Sequence, residues 1–181
     1  MFLTPLVDWG LMKETGKSAH ALAKLGEDLA RYSGQDYLDK FTEFMGSELN
    51  VDIATIAFLT DEGENLHTVS LWWDGKHVEN FKYPIDKAPC AESVSKEFCL
   101  YQSMLQSHFP EDEFLVQEQL NSYIGFPLID ADGEVFGVVN AANRYDVEQD
   151  CEQFVSMKQM LTKLCAEAAL CRQHWSAHLA P

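Results

Sequence analysis

The sequence predicts an α+β fold: a central antiparallel sheet, helices contributed by both ends of the chain, and a helical insertion in its middle. Residues 51–84 hold β-branched and apolar runs punctuated by turn signals, and residues 123–143 hold two more runs around Asp130-Ala131-Asp132-Gly133. On either side, apolar residues recur at helical spacings of three and four. The chain of 181 residues is 46% hydrophobic and 12% aromatic, enough for one sizeable core, and no Pro-, Gly- or Ser-rich linker divides it. A single domain is expected.

From Leu11 to Tyr32 the residues Leu22, Leu25, Leu29 and Tyr32 lay a stripe along one side of a helix, which Ser33-Gly34 ends. A second helix is expected from Gln35 to Leu49, burying Tyr37, Leu38, Phe41, Phe44, Met45 and Leu49, with Asn50 as its stop. Val51 to Thr60 reads as a strand, Asp61-Glu62-Gly63-Glu64-Asn65 as a turn, and Leu66 to Trp73 as a second strand. Asp74-Gly75 is a strong hairpin signal, which makes Val78 to Pro84 the third strand of a meander. The middle is looser, with a short helix over Cys90 to Phe98, a short strand over Leu100 to Gln102 and a short helix over Asp112 to Gln119. Connections of this kind lie on the surface of a rigid sheet and are where binding groups collect.

The runs Tyr123 to Ile129 and Val135 to Asn143 must pair antiparallel, because the aspartates between them bend the chain through local side-chain bonds and Gly133 supplies the positive φ that closes the turn. Strand alternation sorts Tyr123, Gly125, Pro127 and Ile129 to one side and Ile124, Phe126 and Leu128 to the other. Gly125 and Gly137 are expected to permit close approach of neighbouring groups. Asn140 is a polar residue in an otherwise apolar strand and needs a partner, either backbone or ligand. In the last segment Phe154, Met157, Leu161, Leu164, Ala168, Cys171 and Trp175 form a heptad seam. It can pack on the chain's own sheet, or with the Leu22, Leu25, Leu29 helix build a bundle across a two-fold axis.

Pro89-Cys90 opening a short helix, Phe109-Pro110-Glu111-Asp112-Glu113, Tyr123-Ile-Gly125-Phe-Pro127-Leu and Asp132-Gly133-x-x-x-Gly137, in this order, resemble the GAF domains of bacterial signalling proteins. The resemblance implies a GAF-like (PAS/profilin-like) α+β fold over residues 35–170, with N- and C-terminal helices on one sheet face and a mid-chain helical pocket on the other. Residues 1–34 become an N-terminal helical segment in dimer contact, and residues 150–178 a C-terminal helix that closes the domain and extends the seam. It also implies a small-molecule pocket formed by Phe81, Tyr83, Cys90, Val94, Tyr101, Tyr123 and Asn140, in a non-enzymatic sensing module that signals through terminal-helix packing in a homodimer. The ligand stays unspecified, no cofactor is implied, and a downstream signalling domain or protein is the expected partner.

Subclasses of that family can be set against the residues. Cyclic-nucleotide-binding members carry Asn-Lys, a later Phe and an Asp-Glu pair; Asn143-Arg144 imitates the first, but Val155, Ser156, Met157 and Lys158 follow Phe154. Bilin-binding members attach the pigment through a cysteine with a histidine just after it, and neither Cys90 nor Cys99 has that neighbour. The enzymatic alternative is a similarity to free methionine-R-sulfoxide reductase, with Cys90 and Cys99 as the thiols, although that family has a further cysteine where residues 100–150 contain none. A ligandless dimerisation or adaptor domain is the third reading. At the first helical turn Cys90 would lie near the positive end of the helix dipole, which lowers a thiol pKa, while Glu92 opposes this; it is a reactive thiol or a packing element.

The charge balance narrows the partners. With 29 acidic and 13 basic residues the formal charge is -16, a surface that repels nucleic acid and anionic lipid. Lys82, Lys87 and Lys96 are near enough in sequence to give the pocket local positive charge. Five cysteines at no framework spacing do not read as a disulfide scaffold. His174 and His178, beside Trp175, read as a helix terminus and not as a metal site. Pro5 and Asp8 interrupt a start without a basic lead, so no signal peptide is read and a cytoplasmic location is expected.

Overall fold

The computed structural model describes residues 24–95, 98–148 and 151–179. Residues 1–23, which include Leu22 and most of the N-terminal segment, lie outside the described residues, as do Lys96 and the side chain of His178. Residues 24–29 are helical and lead into α1 (Gly34–Ser47). The strands are β1 (Ile53–Thr60), β2 (Asn65–Trp73), β3 (Lys76–His77), β4 (Lys82–Pro84), β5 (Cys99–Tyr101), β6 (Ser122–Ile129) and β7 (Val135–Asn143). Short helices α2 (Pro89–Ser95), α3 (Leu105–His108) and α4 (Glu113–Gln117) fill the middle, and α5 (Glu152–Leu179) ends the described chain. No helix among the described residues is long and apolar enough to cross a membrane.

The sheet runs β3-β2-β1-β7-β6-β5, with β4 also on β2, and its pairings are antiparallel. Asp74 (φ 47°) and Gly75 (φ 85°) take the left-handed conformations that a two-residue hairpin turn demands. Asp130 holds the other hairpin, its carboxylate accepting from the N–H groups of Asp132 and Glu134 at 3.0 Å each. Of the expected third strand over Val78 to Pro84 only Lys82–Pro84 is a strand, β4, while β3 precedes it. Side chains supplement the ladder between them: Thr68 Oγ1 accepts from Phe81 N–H at 2.8 Å, and the Val69 carbonyl accepts from Asn80 and Gln35 amides at 3.3 and 2.8 Å. The helix α3 was not anticipated, since four residues are too few to show a period.

Each sheet face is covered. On one, Ala54, Ile56, Ile124, Phe126, Leu128 and Val139 meet α1 and α5. The seam residues Phe154, Met157, Leu164 and Ala168 are buried there, with Leu161, Cys171 and Trp175 packed at the margin, and Leu25 and Leu29 join the same core. Of the two readings of this seam, packing on the chain's own sheet accounts for its buried residues; heptad spacing reports an apolar stripe, not what covers it. The first backbone N–H of α1 is satisfied from α5 by Glu167 Oε2 at 2.8 Å, placing a negative charge at the positive helix end. On the opposite face Ile53, Leu71, Tyr123, Val138 and Ala142 form a second core with the mid-chain segments.

Arg144, just past β7, ties this second face together. Its guanidinium bonds both Asp74 oxygens at 2.6 and 3.2 Å, Glu118 Oε2 at 3.1 Å and the Glu118 carbonyl at 2.9 Å, and stands 3.5 Å from Asp52. It joins the β2–β3 turn to the end of α4. Hydrogen bonds from Arg144 hold the Asp74 carboxyl below its ordinary range. A carboxyl so depressed stabilises the fold above its unfolded pKa, and that stabilisation is lost as pH falls through the folded value.

Two outcomes test this packing. A Cβ on Gly137 would stand 2.3 Å from the Ala57 carbonyl oxygen, a backbone atom that cannot turn aside, so Gly137→Ala should cost about 3 kcal/mol in urea unfolding, at the upper end of overpacking penalties. Arg144→Gln leaves Asp52, Asp74 and Glu118 facing one another and should cost about 1–2 kcal/mol at pH 7. Because lowering the pH both removes the wild-type benefit and neutralises the repelling carboxylates, the deficit should shrink between pH 7 and about pH 4; a constant deficit would remove the electrostatic explanation.

Candidate functional site

The second face encloses a cavity of about 320 Å³. Its floor follows from strand alternation: Ile53 and Thr55 on β1, Leu71 and Trp73 on β2, Asn140 and Ala142 on β7, and Tyr123 on β6 all line it. Its walls are the stretch from β4 to the start of α2 and the segment from Glu111 to Leu115. Asp112 builds that second wall by capping α4, its Oδ1 accepting from Phe114 N at 3.1 Å and Leu115 N at 3.4 Å.

Five of the residues expected in a pocket converge on this cavity: Phe81, Tyr83, Cys90, Tyr123 and Asn140. Phe81 follows the split in the third strand and is 38% exposed, so it stands at the mouth, its ring 5.5 Å from that of Tyr83. Val94 and Tyr101 do not line it. Val94 packs against the second core, while Tyr101, on the edge strand β5, donates its hydroxyl to Glu92 Oε1 at 2.8 Å and packs its ring on His108 and Phe109. The spacing of the short mid-chain elements gave no information on how far along the sheet each would dock.

Cys90 Sγ is the hub of the floor. Tyr123 Oη donates to it at 3.3 Å, Tyr83 Oη lies 3.6 Å away, and Asn140 Nδ2 donates at 3.6 Å. The Ser93 hydroxyl is 3.0 Å from Tyr123 Oη. Gly125 makes this cluster possible, since a Cβ there would stand 2.3 Å from Ser93 Oγ and 2.6 Å from Tyr123 Oη. The partner that Asn140 required is therefore the cysteine sulfur. Burial pushes the Cys90 thiol above its ordinary pKa despite the bonds from Tyr123 and Tyr83, and burial likewise holds both phenols well above theirs. Of the two readings of Cys90, a packing element suits this environment better than a reactive thiol, because burial is the largest influence on its pKa.

The mouth is acidic. Asp86, Glu111, Asp112 and Glu113 line the cavity with Lys87, and Lys87 Nζ sits 2.8 Å from Glu111 Oε2. With side chains 56% and 70% exposed, that pair is screened by solvent and adds little to stability. Lys82 does not line the cavity, so the anticipated local positive charge gives way to negative charge. Burial raises the Asp112 carboxyl above its ordinary pKa, against the lowering from the Leu115 and Phe114 N–H groups. Arg144, which imitated a nucleotide-binding element in the sequence, is committed to Asp74 and Glu118. No cluster of three or more His, Cys, Asp or Glu among the described residues is arranged to hold a metal ion.

Thr55, Thr68, Leu71, Trp73 and Ala142 were missed as lining residues. Their signal was available in part, since Ala142 is two residues from Asn140, and Leu71 and Trp73 are two apart on one strand. The buried neutral thiol yields a direct test: in the folded protein at pH 7.5, Cys90 should react with iodoacetamide at least about tenfold more slowly than a free cysteine peptide, and at the peptide's rate once unfolded. Site-resolved alkylation by mass spectrometry reads this, and fast native labelling of Cys90 would contradict it.

The family model described as GAF domain matches residues 33–170. No curated protein matches the chain. Among solved structures, the chain is similar to free methionine-R-sulfoxide reductase from Neisseria meningitidis in complex with its substrate, at 14% identity and a TM-score of 0.68, covering 90% of this chain and 96% of that one. The GAF domain of a phosphoenolpyruvate-protein phosphotransferase from Coxiella burnetii matches at 14% identity and TM-score 0.68, over 88% and 96% of the two chains. The chromophore-binding domain of Stigmatella aurantiaca phytochrome P1 matches at 11% and 0.66, over 86% and 61%. At such identities the structures share the fold, and the activities in their names remain theirs. The sequence match spans most of the chain and coincides with the sheet, the covering helices and the cavity described above, so the chain belongs to the GAF domain family.

Proposed function

We propose that the chain is a non-enzymatic regulatory module that senses a small molecule in the cavity between β1, β2, β6, β7 and the mid-chain segments. The observation that carries this reading is the cavity floor. Polar groups of Tyr83, Cys90, Tyr123 and Asn140 meet at one point beside the apolar side chains of Ile53, Leu71 and Ala142, the arrangement that orients a ligand. The reductase alternative asks for a thiolate at Cys90, and burial opposes one. Cys99, on β5, does not line the cavity, and its sulfur lies 3.9 Å from Glu92 Oε2.

The route outward runs through β2. Thr68, Leu71 and Trp73 line the cavity, while between them Ser70 Oγ is 2.7 Å from Thr42 Oγ1 of α1 and the Val69 carbonyl takes the Gln35 amide. Glu167 then links α1 to α5. A ligand that favours one position of this strand shifts the terminal helices by its differential affinity and no more. The module acts as a homodimer through outward faces of these helices, where Leu170 is 52% exposed, and hands the change to a downstream signalling domain or protein.

Native mass spectrometry of protein purified from cells tests the reading. The expected result is a dimer with a non-covalent added mass that disappears under denaturing conditions. Asn140→Leu, close in volume but without the amide, should lose the added mass and remain folded by circular dichroism. A monomer would remove the dimeric mechanism, and an unchanged adduct in Asn140→Leu would place the ligand elsewhere.

A further inference from the structure

The cavity carries more information about its occupant than its volume. Its mouth has four carboxylates, those of Asp86, Glu111, Asp112 and Glu113, against the single lysine Lys87, which Glu111 already pairs. Around them stand aromatic faces. The Trp73 and Phe114 rings meet edge to face at 5.3 Å, and those of Phe81 and Tyr83 tilt together at 5.5 Å. Phe81 and Phe114 are among the few large apolar side chains that the protein leaves exposed. Deeper in, Asn140 lines the cavity at only 6% exposure, its Nδ2 donating to Cys90 Sγ at 3.6 Å. An amide on the cavity lining offers a polar contact to whatever fills the cavity.

We infer that the cavity takes an organic cation: a small molecule with an apolar or aromatic body and a protonated nitrogen. This rests on the reading of the cavity as a ligand site. The rim and the aromatic faces favour the charge, and the floor favours the body. The negative rim attracts the ammonium group and repels carboxylates and phosphates, and the net charge of -16 gives a field of the same sign. Aromatic faces bind a partly desolvated cation through their quadrupoles. The Asn140 amide offers a polar contact, and the apolar floor of Ile53, Leu71 and Ala142 receives the body. Asp112, whose carboxyl burial already disfavours as a bare charge, gains a counter-ion on binding. Anionic ligands, cyclic nucleotides included, would bring phosphate or carboxylate against the rim.

The test uses three probes with a common phenyl body: 2-phenylethylammonium, 2-phenylethanol and 3-phenylpropanoate, titrated into the isotopically labelled full chain and followed by amide chemical shifts. The cation should bind about tenfold more tightly than the alcohol at low salt, the anion should bind weakest, and added salt should shrink the gap. In Asp112→Asn/Glu113→Gln, which keeps a capping oxygen at position 112, the preference for the cation over the alcohol should fall at least about threefold. The same charge change at the exposed, distant Glu27→Gln/Asp36→Asn should leave it unaltered. Equal binding of cation and alcohol, or tighter binding of the anion, overturns the cation assignment while the ligand-site reading stands. Failure of all three probes to perturb amides around the cavity at millimolar concentration overturns both.

Discussion

The pairing of β1 with β7 puts Thr55 opposite Asn140 and Ile53 opposite Ala142, and on alternate positions Ala54 opposite Ala141 and Ile56 opposite Val139. The first set lines the cavity and the second fills the helix-side core. A slip of one residue would exchange the two faces, sending Asn140 into the apolar layer beneath α1 and α5. Gly137 helps forbid the slip, because only a residue without a side chain tolerates the Ala57 carbonyl at that distance. Cavity, core and helix packing therefore depend on one register.

Given that register, the floor of the cavity assembles from strands distant in sequence. Tyr123, Asn140 and Tyr83 each direct a polar group at Cys90, which lies on a different element. A thiol serves this purpose as a small, weakly polar acceptor: it satisfies phenol and amide donors without introducing the charge that burial penalises. The position that in other settings makes a reactive cysteine here makes a structural hub. The polar cost of this cluster is met within the protein.

The opposite face links the chamber to the ends of the chain. Thr42 to Ser70, Gln35 to Val69 and Gly34 to Glu167 are hydrogen bonds between elements far apart in sequence, and the first of them is buried. A network of this kind has definite geometry and alters when a strand moves. Arg144 plays the matching part on the cavity side, holding the α4 wall against the β2–β3 turn through charges that are only partly exposed. The wall that carries the acidic rim is thus fixed to the β2–β3 turn.

Local chemistry was written plainly in the chain. Asp74-Gly75 and Asp130 to Gly133 make the turns they announce, β7 spans the residues expected of it, and alternation assigned Tyr123 and Ile124 to opposite faces, because backbone conformation and side-chain parity depend on near neighbours. Five of the seven pocket residues that the family resemblance implied reach the cavity. What sequence could not decide was which surfaces meet. The terminal seam closes on its own sheet, Tyr101 turns to Glu92, Lys87 is paired with Glu111, and burial is the largest influence on the Cys90 thiol. Each of these is set by the distance and dielectric between residues far apart in the chain, quantities that exist only once the tertiary structure has formed.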